Sequence, residues 1–162
     1  MPILDELIKI HGPRLYGLCI KLCGNRYDAD DLYQETWLRV HCHLTKYDES
    51  QPFEHWLTAI CVNCYRDMLR RDKFASLLMR FSTNEDQDRT LASVPAEDNS
   101  AENAEIWEAV RRLPEKYRIV ITLHYFRGFD VKELSKMLRI PEGTVKYRLH
   151  QARELLKGGL AP

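Results

Sequence analysis

Apolar residues recur at steps of three and four along nearly the whole 162-residue chain, and no stretch alternates apolar with polar residues convincingly. That spacing lines one face of successive helices and leaves no material for a sheet, so the expected class is all-α. The first stretch carries Ile3, Leu4, Leu7 and Ile8, then Leu15, Leu18, Cys19 and Leu22, with Gly12-Pro13 set to kink or divide it. Gly24-Asn25 ends it, and Asp28 is expected to cap a second helix bearing Leu32, Thr36, Trp37, Val40 and Leu44. After a polar turn at 47–51, Pro52 suits the start of a third helix. Its stripe is Phe53, Trp56, Leu57, Ile60, Cys61, Cys64 and Met68 or Leu69, and it ends in the basic cluster Arg70, Arg71 and Lys73.

From 74 to 103 the composition shifts to Ser, Thr, Asn, Asp, Glu and Gln without sustained periodicity, the profile of a flexible acidic linker. Its first residues, 74–81, are more apolar and either prolong the helix or dock on a partner. Helical spacing then resumes. Ile106, Trp107, Val110 and Leu113 precede Pro114, and Tyr117, Val120, Ile121 and Leu123 or His124 precede Gly128. Asp130 and Glu133 match a capping box for a short helix through Leu134 and Leu138. Pro141 opens a last helix with Val145, Leu149, Ala152 and Leu156, which Gly158-Gly159 is expected to stop. The expected organisation is two small helical domains, 1–73 and 104–162, joined by the 74–103 linker.

Charge separates these parts. Lys plus Arg equals Asp plus Glu over the chain, yet the net charge is −1 over residues 1–73, −5 over 74–105 and +6 over 106–162. A neutral total therefore conceals a compact basic segment of the kind that attracts phosphates. No run is long and apolar enough for a membrane span or an export signal, which points to the cytoplasm. Five cysteines, an odd number, argue for reduced thiols rather than a disulfide framework. Phosphate-loop, nucleophile-elbow and HExxH patterns are missing from the sequence, so neither bond chemistry, a small-molecule substrate nor a cofactor is expected.

The short helix, the turn at Arg139-Ile140 and the longer helix after Pro141 form a helix-turn-helix, whose second helix enters the DNA major groove. With Val145, Leu149, Ala152 and Leu156 facing inward, the outer side presents Glu142, Thr144, Lys146, Tyr147, Arg148, His150, Gln151 and Arg153. Most of these donate to phosphates or base edges.

The words EGTVKYRLHQARELL, after LPEKYRIVITLHYFRGFDVKELSKML, resemble the C-terminal domain of bacterial RNA polymerase sigma factors of the extracytoplasmic-function (ECF) subfamily. DADDLYQETWLRV followed by FEHWLTAICVNCYRDMLRRDK is similar to that subfamily's other domain, in the same order. The resemblance implies core RNA polymerase, promoter DNA and an anti-sigma factor, often membrane-bound in the family, as partners. It assigns Asp31, Gln34 and Glu35 to the clamp helices of the polymerase's largest subunit, on a helix face opposite Leu32, Thr36 and Val40. It places the minus-ten element on the 47–71 segment. There Asn63 would hold an unstacked base, and Arg66, Arg70, Arg71 and Lys73 would follow phosphates. For the minus-thirty-five element it implies base reading by Lys146, Tyr147, His150 and Gln151. Thr144, Arg148 and Arg153 would lie beside them, with Lys132 and Lys136 crossing the backbone. Gln151 and Tyr147 depart from residues frequent in the family, so no promoter sequence carries over.

Two other readings stand beside this one. A dimeric helix-turn-helix regulator would bind a palindromic operator without polymerase, and would not need the acidic DADDLYQETW face. A thiol or zinc sensor would use Cys61 and Cys64 with Cys19 and Cys23, although such pairs usually sit on turns and buried cysteine packs as a small hydrophobe. His41 and His43, flanking Cys42, are expected at the surface.

Overall fold

The computed structural model describes residues 4–82 and 101–160. Among them are α1 (Leu4–Cys23), α2 (Arg26–His43), a 3-10 turn (Leu44–Lys46), α3 (Phe53–Ser82) and α4 (Ala101–Arg111). These are followed by α5 (Glu115–Ile121), which continues as a π-helical turn (Thr122–Phe126), then α6 (Val131–Leu138) and α7 (Glu142–Leu160). The described residues contain no strand.

The first unit packs α1, α2 and α3 around Leu15, Leu18, Leu22, Leu32, Val40, Leu57 and Val62, all essentially inaccessible. Each such side chain contributes about 1.5–3 kcal/mol of transfer free energy. Trp37 is also in this core, 6% exposed. Helix α1 is not divided: it runs through Pro13, which is exposed, as is Lys9, the residue whose carbonyl loses its bond. Gly12 beside it packs under α2: a Cβ there would lie 2.8 Å from the Tyr33 hydroxyl, so that side chain would have to shift.

The cap of α2 also differs from expectation. Asn25, not Asp28, caps it: the Asn25 side-chain oxygen accepts from the Asp28 amide at 2.9 Å, and its Nδ2 donates to the Asp28 carboxylate at 3.0 Å. Asp28 thus fills the third helical position, where a carboxylate also suits the positive end of the helix dipole. Helix α3 continues past Lys73 to Ser82, so 74–82 prolongs the helix, leaving Phe74, Leu77 and Leu78 exposed. The remainder of the expected linker, 83–100, falls outside the described residues, and α4 is already formed at Ala101.

In the second unit Val110, Leu113, Ile119, Val120, Leu123, Leu134, Leu138, Val145, Leu149 and Ala152 form the core. The Asp130 carboxylate accepts from the Glu133 amide at 2.8 Å while the Asp130 amide donates to Glu133 at 3.1 Å, completing the capping box read from the sequence. The turn into α7 puts Arg139 in the left-handed region at φ 57°, a conformation that ends α6 while the Ile140 amide returns to the Ser135 carbonyl at 3.2 Å. Helix α7 runs through Gly158 and Gly159 to Leu160 instead of stopping at them. The two units touch along α1 with α4, α1 with the π-helical turn, and α3 with α6. No described helix is long and apolar enough to cross a membrane.

Candidate nucleic-acid interface

The outer side of α2 combines Asp31 and Gln34, both exposed, with two residues the sequence reading passed over, Tyr27 (87% exposed) and Leu38 (65%). Their spacing of four, three and four residues is the available signal: 27, 31, 34 and 38 make one stripe on a helix. Glu35 stands beside the stripe and is engaged, 3.4 Å from Arg39 and 3.9 Å from Arg71 of α3. Arg39 bonds Asp67 at 2.8 Å, a contact that holds its guanidinium pKa above the usual arginine value. Acidic and apolar exposed groups together describe a surface for a protein rather than for a polyanion.

Along α3, Asn63, Arg70 and Arg71 are exposed, while Arg66 is partly buried. Arg70 pairs with Asp67 at 3.2 Å, and Lys73 lies 3.8 Å from Glu115 of α5. Burial lowers the pKa of Arg66, and Arg148 of α7 lowers it further. Before α3, Tyr47 packs edge-on against Phe53 at 5.4 Å and tilts against Trp56 at 5.0 Å, and its hydroxyl donates to the Gln51 carbonyl. These rings brace the 47–51 turn, and Leu57 beneath them is buried, in keeping with a packing role for the apolar members.

On α7, the packing of Val145, Leu149 and Ala152 turns Lys146, Tyr147, His150 and Arg153 outward, with Thr144, Arg148 and Gln151 at the margins. Lys132 and Lys136 are exposed on α6. Arg153 donates through Nε to the Tyr125 hydroxyl at 2.7 Å, and its guanidinium lies 5.5 Å from that ring's centre. Tyr125, in the π-helical turn, was not singled out from the sequence, because only the fold brings it to α7. The surface is a basic ridge of helix length, suited to phosphates and groove edges.

Cys61 faces Cys19 across the α1–α3 contact, Sγ to Sγ 3.9 Å, rather than Cys64 on its own helix. Cys19, Cys61 and Cys64 are buried and Cys23 is partly so. Hydrogen bonding to Cys61 together with burial raises the Cys19 thiol, burial raises that of Cys23, and burial pushes Cys64 up to about 11. These are the settings of packing thiols, since the thiolate is the reactive and metal-binding form. No group of metal-binding side chains is assembled among the described residues. His41, Cys42 and His43 are exposed.

Comparison with known proteins follows the same division. The family model for sigma-70 region 2 matches residues 7–75, and that for sigma-70 region 4 matches residues 103–156. The ECF RNA polymerase sigma factor SigE of Mycolicibacterium smegmatis is 36% identical over 99% of this chain, which spans 63% of that relative's length. SigL of Mycobacterium tuberculosis is 31% identical, covering 96% of this chain and 87% of its own. SigW of Bacillus subtilis is 29% identical, covering 94% and 86%. Among solved structures, the sigma factor RpoE in complex with the anti-sigma factor NepR from Bartonella quintana superposes with a TM-score of 0.78 at 21% identity, covering 95% of this chain and 94% of RpoE. CnrH in complex with the cytosolic domain of CnrY gives 0.67 at 24%, covering 97% and 86%. At these identities the superpositions speak for the fold.

Proposed function

This chain belongs to the sigma-70 family, among its extracytoplasmic-function RNA polymerase sigma factors, and on that premise we propose that it binds core polymerase and directs promoter-specific initiation. The observation that carries the reading is one chain presenting two unlike surfaces in the two matched regions: an acidic and apolar stripe on α2 and a basic ridge on α7. Asp31, Gln34 and Glu35 bind the clamp helices of the largest subunit. Asn63, with Arg66, Arg70 and Arg71, takes the minus-ten strand. Lys146, Tyr147, His150 and Gln151 read the minus-thirty-five element, while Thr144, Arg148, Arg153 and Lys132 position the helix on phosphates. The first domain runs on through α3 to Ser82 and the second opens with α4 at Ala101, and the acidic segment between them makes the second promoter contact intramolecular once the first has formed.

The protein performs no bond chemistry and works in the cytoplasm. An anti-sigma factor controls it, as the names of the structural relatives' partners suggest. A stand-alone operator-binding regulator has no use for the α2 stripe, and that stripe favours the sigma reading.

The test is run-off transcription from genomic promoter fragments with purified bacterial core polymerase, with and without the protein, repeated for Asp31→Ala and Lys146→Ala. Protein-dependent transcripts weakened by both variants are expected, the first through core affinity and the second through promoter affinity. Absence of core binding, together with a shift of a symmetric DNA site by the protein alone, would replace the proposal with the dimeric regulator.

A further inference from the structure

We propose that Arg39 of α2 is a positioning residue for promoter-strand capture. It neutralises a carboxylate standing in the strand's path along α3 and keeps Arg70 and Arg71 free for phosphates, without touching DNA itself. The inference deepens the sigma reading above and rests on it.

The sequence of α3 poses the problem. Asn63, Asp67 and Arg70 follow one another at steps of four and three, so they share one face of the helix, the face to which strand binding is assigned. An acid therefore lies between the amide that holds an unstacked base and a guanidinium that takes a phosphate. A carboxylate in that place repels a polyanion, and it competes with the phosphate for Arg70, its neighbour at 3.2 Å. Arg71 has a rival of the same kind, lying 3.9 Å from Glu35 of α2.

A third arginine, from the adjacent helix, meets both acids. Its Nη2 donates to Asp67 Oδ2 at 2.8 Å and to Glu35 Oε1 at 3.4 Å. Each acid is thus shared between Arg39 and an arginine of α3, and the distances say which partner holds it more closely. They are 2.8 against 3.2 Å at Asp67 and 3.4 against 3.9 Å at Glu35. With Oδ2 taken, Asp67 cannot close on Arg70 the bidentate fork that a free carboxylate offers a guanidinium. Arg70 spends a single N–H on Asp67 Oδ1 and leaves the rest of its fork to solvent.

Exposure divides the arginines in the same way. The Arg39 side chain is 33% exposed, against 75% for Arg70 and 63% for Arg71. The inner cation is committed to the acids while the outer pair projects from α3. Three arginines around two carboxylates leave one net positive charge on this edge. Without Arg39 the charges cancel, and Arg70 and Arg71 become the partners of those acids. Stability alone does not call for the arrangement. Leu32, Val40, Leu57 and Val62 already bury the α2–α3 contact, and ion pairs as exposed as these add little to it.

The experiment compares wild type with Arg39→Ala, Asp67→Asn and the double variant, each as the full chain with saturating core polymerase. A fluorescent non-template single strand, taken from a promoter found by run-off transcription, reports binding by anisotropy over a range of salt. Arg39→Ala is expected to weaken strand binding about tenfold and to lower the slope of log affinity against log salt by about 0.7, one phosphate contact on a single strand. Asp67→Asn is expected to bind at least as tightly as wild type. The double variant is expected to recover the slope and to bind within about threefold of wild type, since the carboxylate that Arg39 held is gone. Such recovery separates this role from a structural one, because the tie between α2 and α3 is missing in the double variant too.

Unchanged binding by Arg39→Ala would overturn the proposal. So would a double variant as weak as Arg39→Ala, which would make Arg39 a structural tie or, with the slope still low, a phosphate contact in its own right. If wild-type protein adds no strand binding to that of core alone, the sigma reading fails and this proposal with it.

Discussion

Helices α2 and α7 are nearly equal in length, 18 and 19 residues, and each lays an apolar stripe on its own core. They differ in what the outward half carries. On α2 it is Tyr27, Asp31, Gln34 and Leu38; on α7 it is Lys146, Tyr147, His150 and Arg153. The packing halves are interchangeable in kind, so nothing about folding selects one outer face over the other. Exposed apolar groups among carboxylates suit a partner that buries them, whereas a ridge of cations suits a polyanion that releases counterions on contact.

The strongest way to break this contrast is to place a charge in the α2 stripe. Leu38→Asp removes an exposed leucine, so the fold should survive with unchanged circular dichroism. Affinity for core polymerase should fall about 30-fold, roughly 2 kcal/mol, as expected for the centre of a protein interface. Binding to a minus-thirty-five duplex should stay the same; an unaltered core affinity in a titration would remove α2 from the interface.

On α7 the expected change is smaller and of another kind. Arg153→Ala should weaken duplex binding a few-fold and lower the slope of log affinity against log salt by about 0.9, the signature of one lost phosphate contact. Tyr125→Phe, which removes only the bond holding the Arg153 Nε, should leave that slope intact and cost less. If Arg153→Ala left the slope unchanged, the ridge would not be a phosphate surface at that point.

The smallest test compares how α2 and α6, the supporting helix of the basic ridge, begin. Asn25→Ala and Asp130→Ala each remove a cap, at about 1 kcal/mol. Asn25 is 4% exposed and bonds in both directions, whereas Asp130 is exposed, so thermal denaturation should show the larger loss for Asn25→Ala. The reverse order would mean that water does not substitute for the exposed cap as assumed.

Much of this was legible in the sequence because it is local. The three-and-four spacing marks the helices, and Asp130 with Glu133 marks a capping box whose two bonds both form. The misses have local causes as well. Asn25 and Asp28 are both good cap formers, three residues apart, and periodicity does not say which leads. The stretch 74–81 leaves prolonging the helix and docking both open, because it is apolar and holds no Gly or Pro to mark an end, and α3 takes it through to Ser82. At the other end, two glycines cost a helix only about 1 kcal/mol each, and α7 continues through them. What no local pattern discloses is long-range: the partial burial of Arg66, the facing of Cys19 and Cys61, and the arrival of Tyr125 at Arg153 all arise from helices meeting.

The π-helical turn at Thr122–Phe126 sets a phase as well as a shape. A π turn holds one more residue than the α turn before it, so at the end of α5 it acts as a built-in insertion in the helix's count. Removing a single residue there would let an ordinary α-helix form with every bond satisfied, yet it would swing the following side chains by about 100° around the axis. Phe126 would then miss Gly17, Arg127 would miss the Arg14 carbonyl, and Tyr125 would miss Arg153. Substitutions in this turn alter one contact each, whereas a one-residue deletion would re-index all of them together, so sequence length at this point is under tighter constraint than sequence identity.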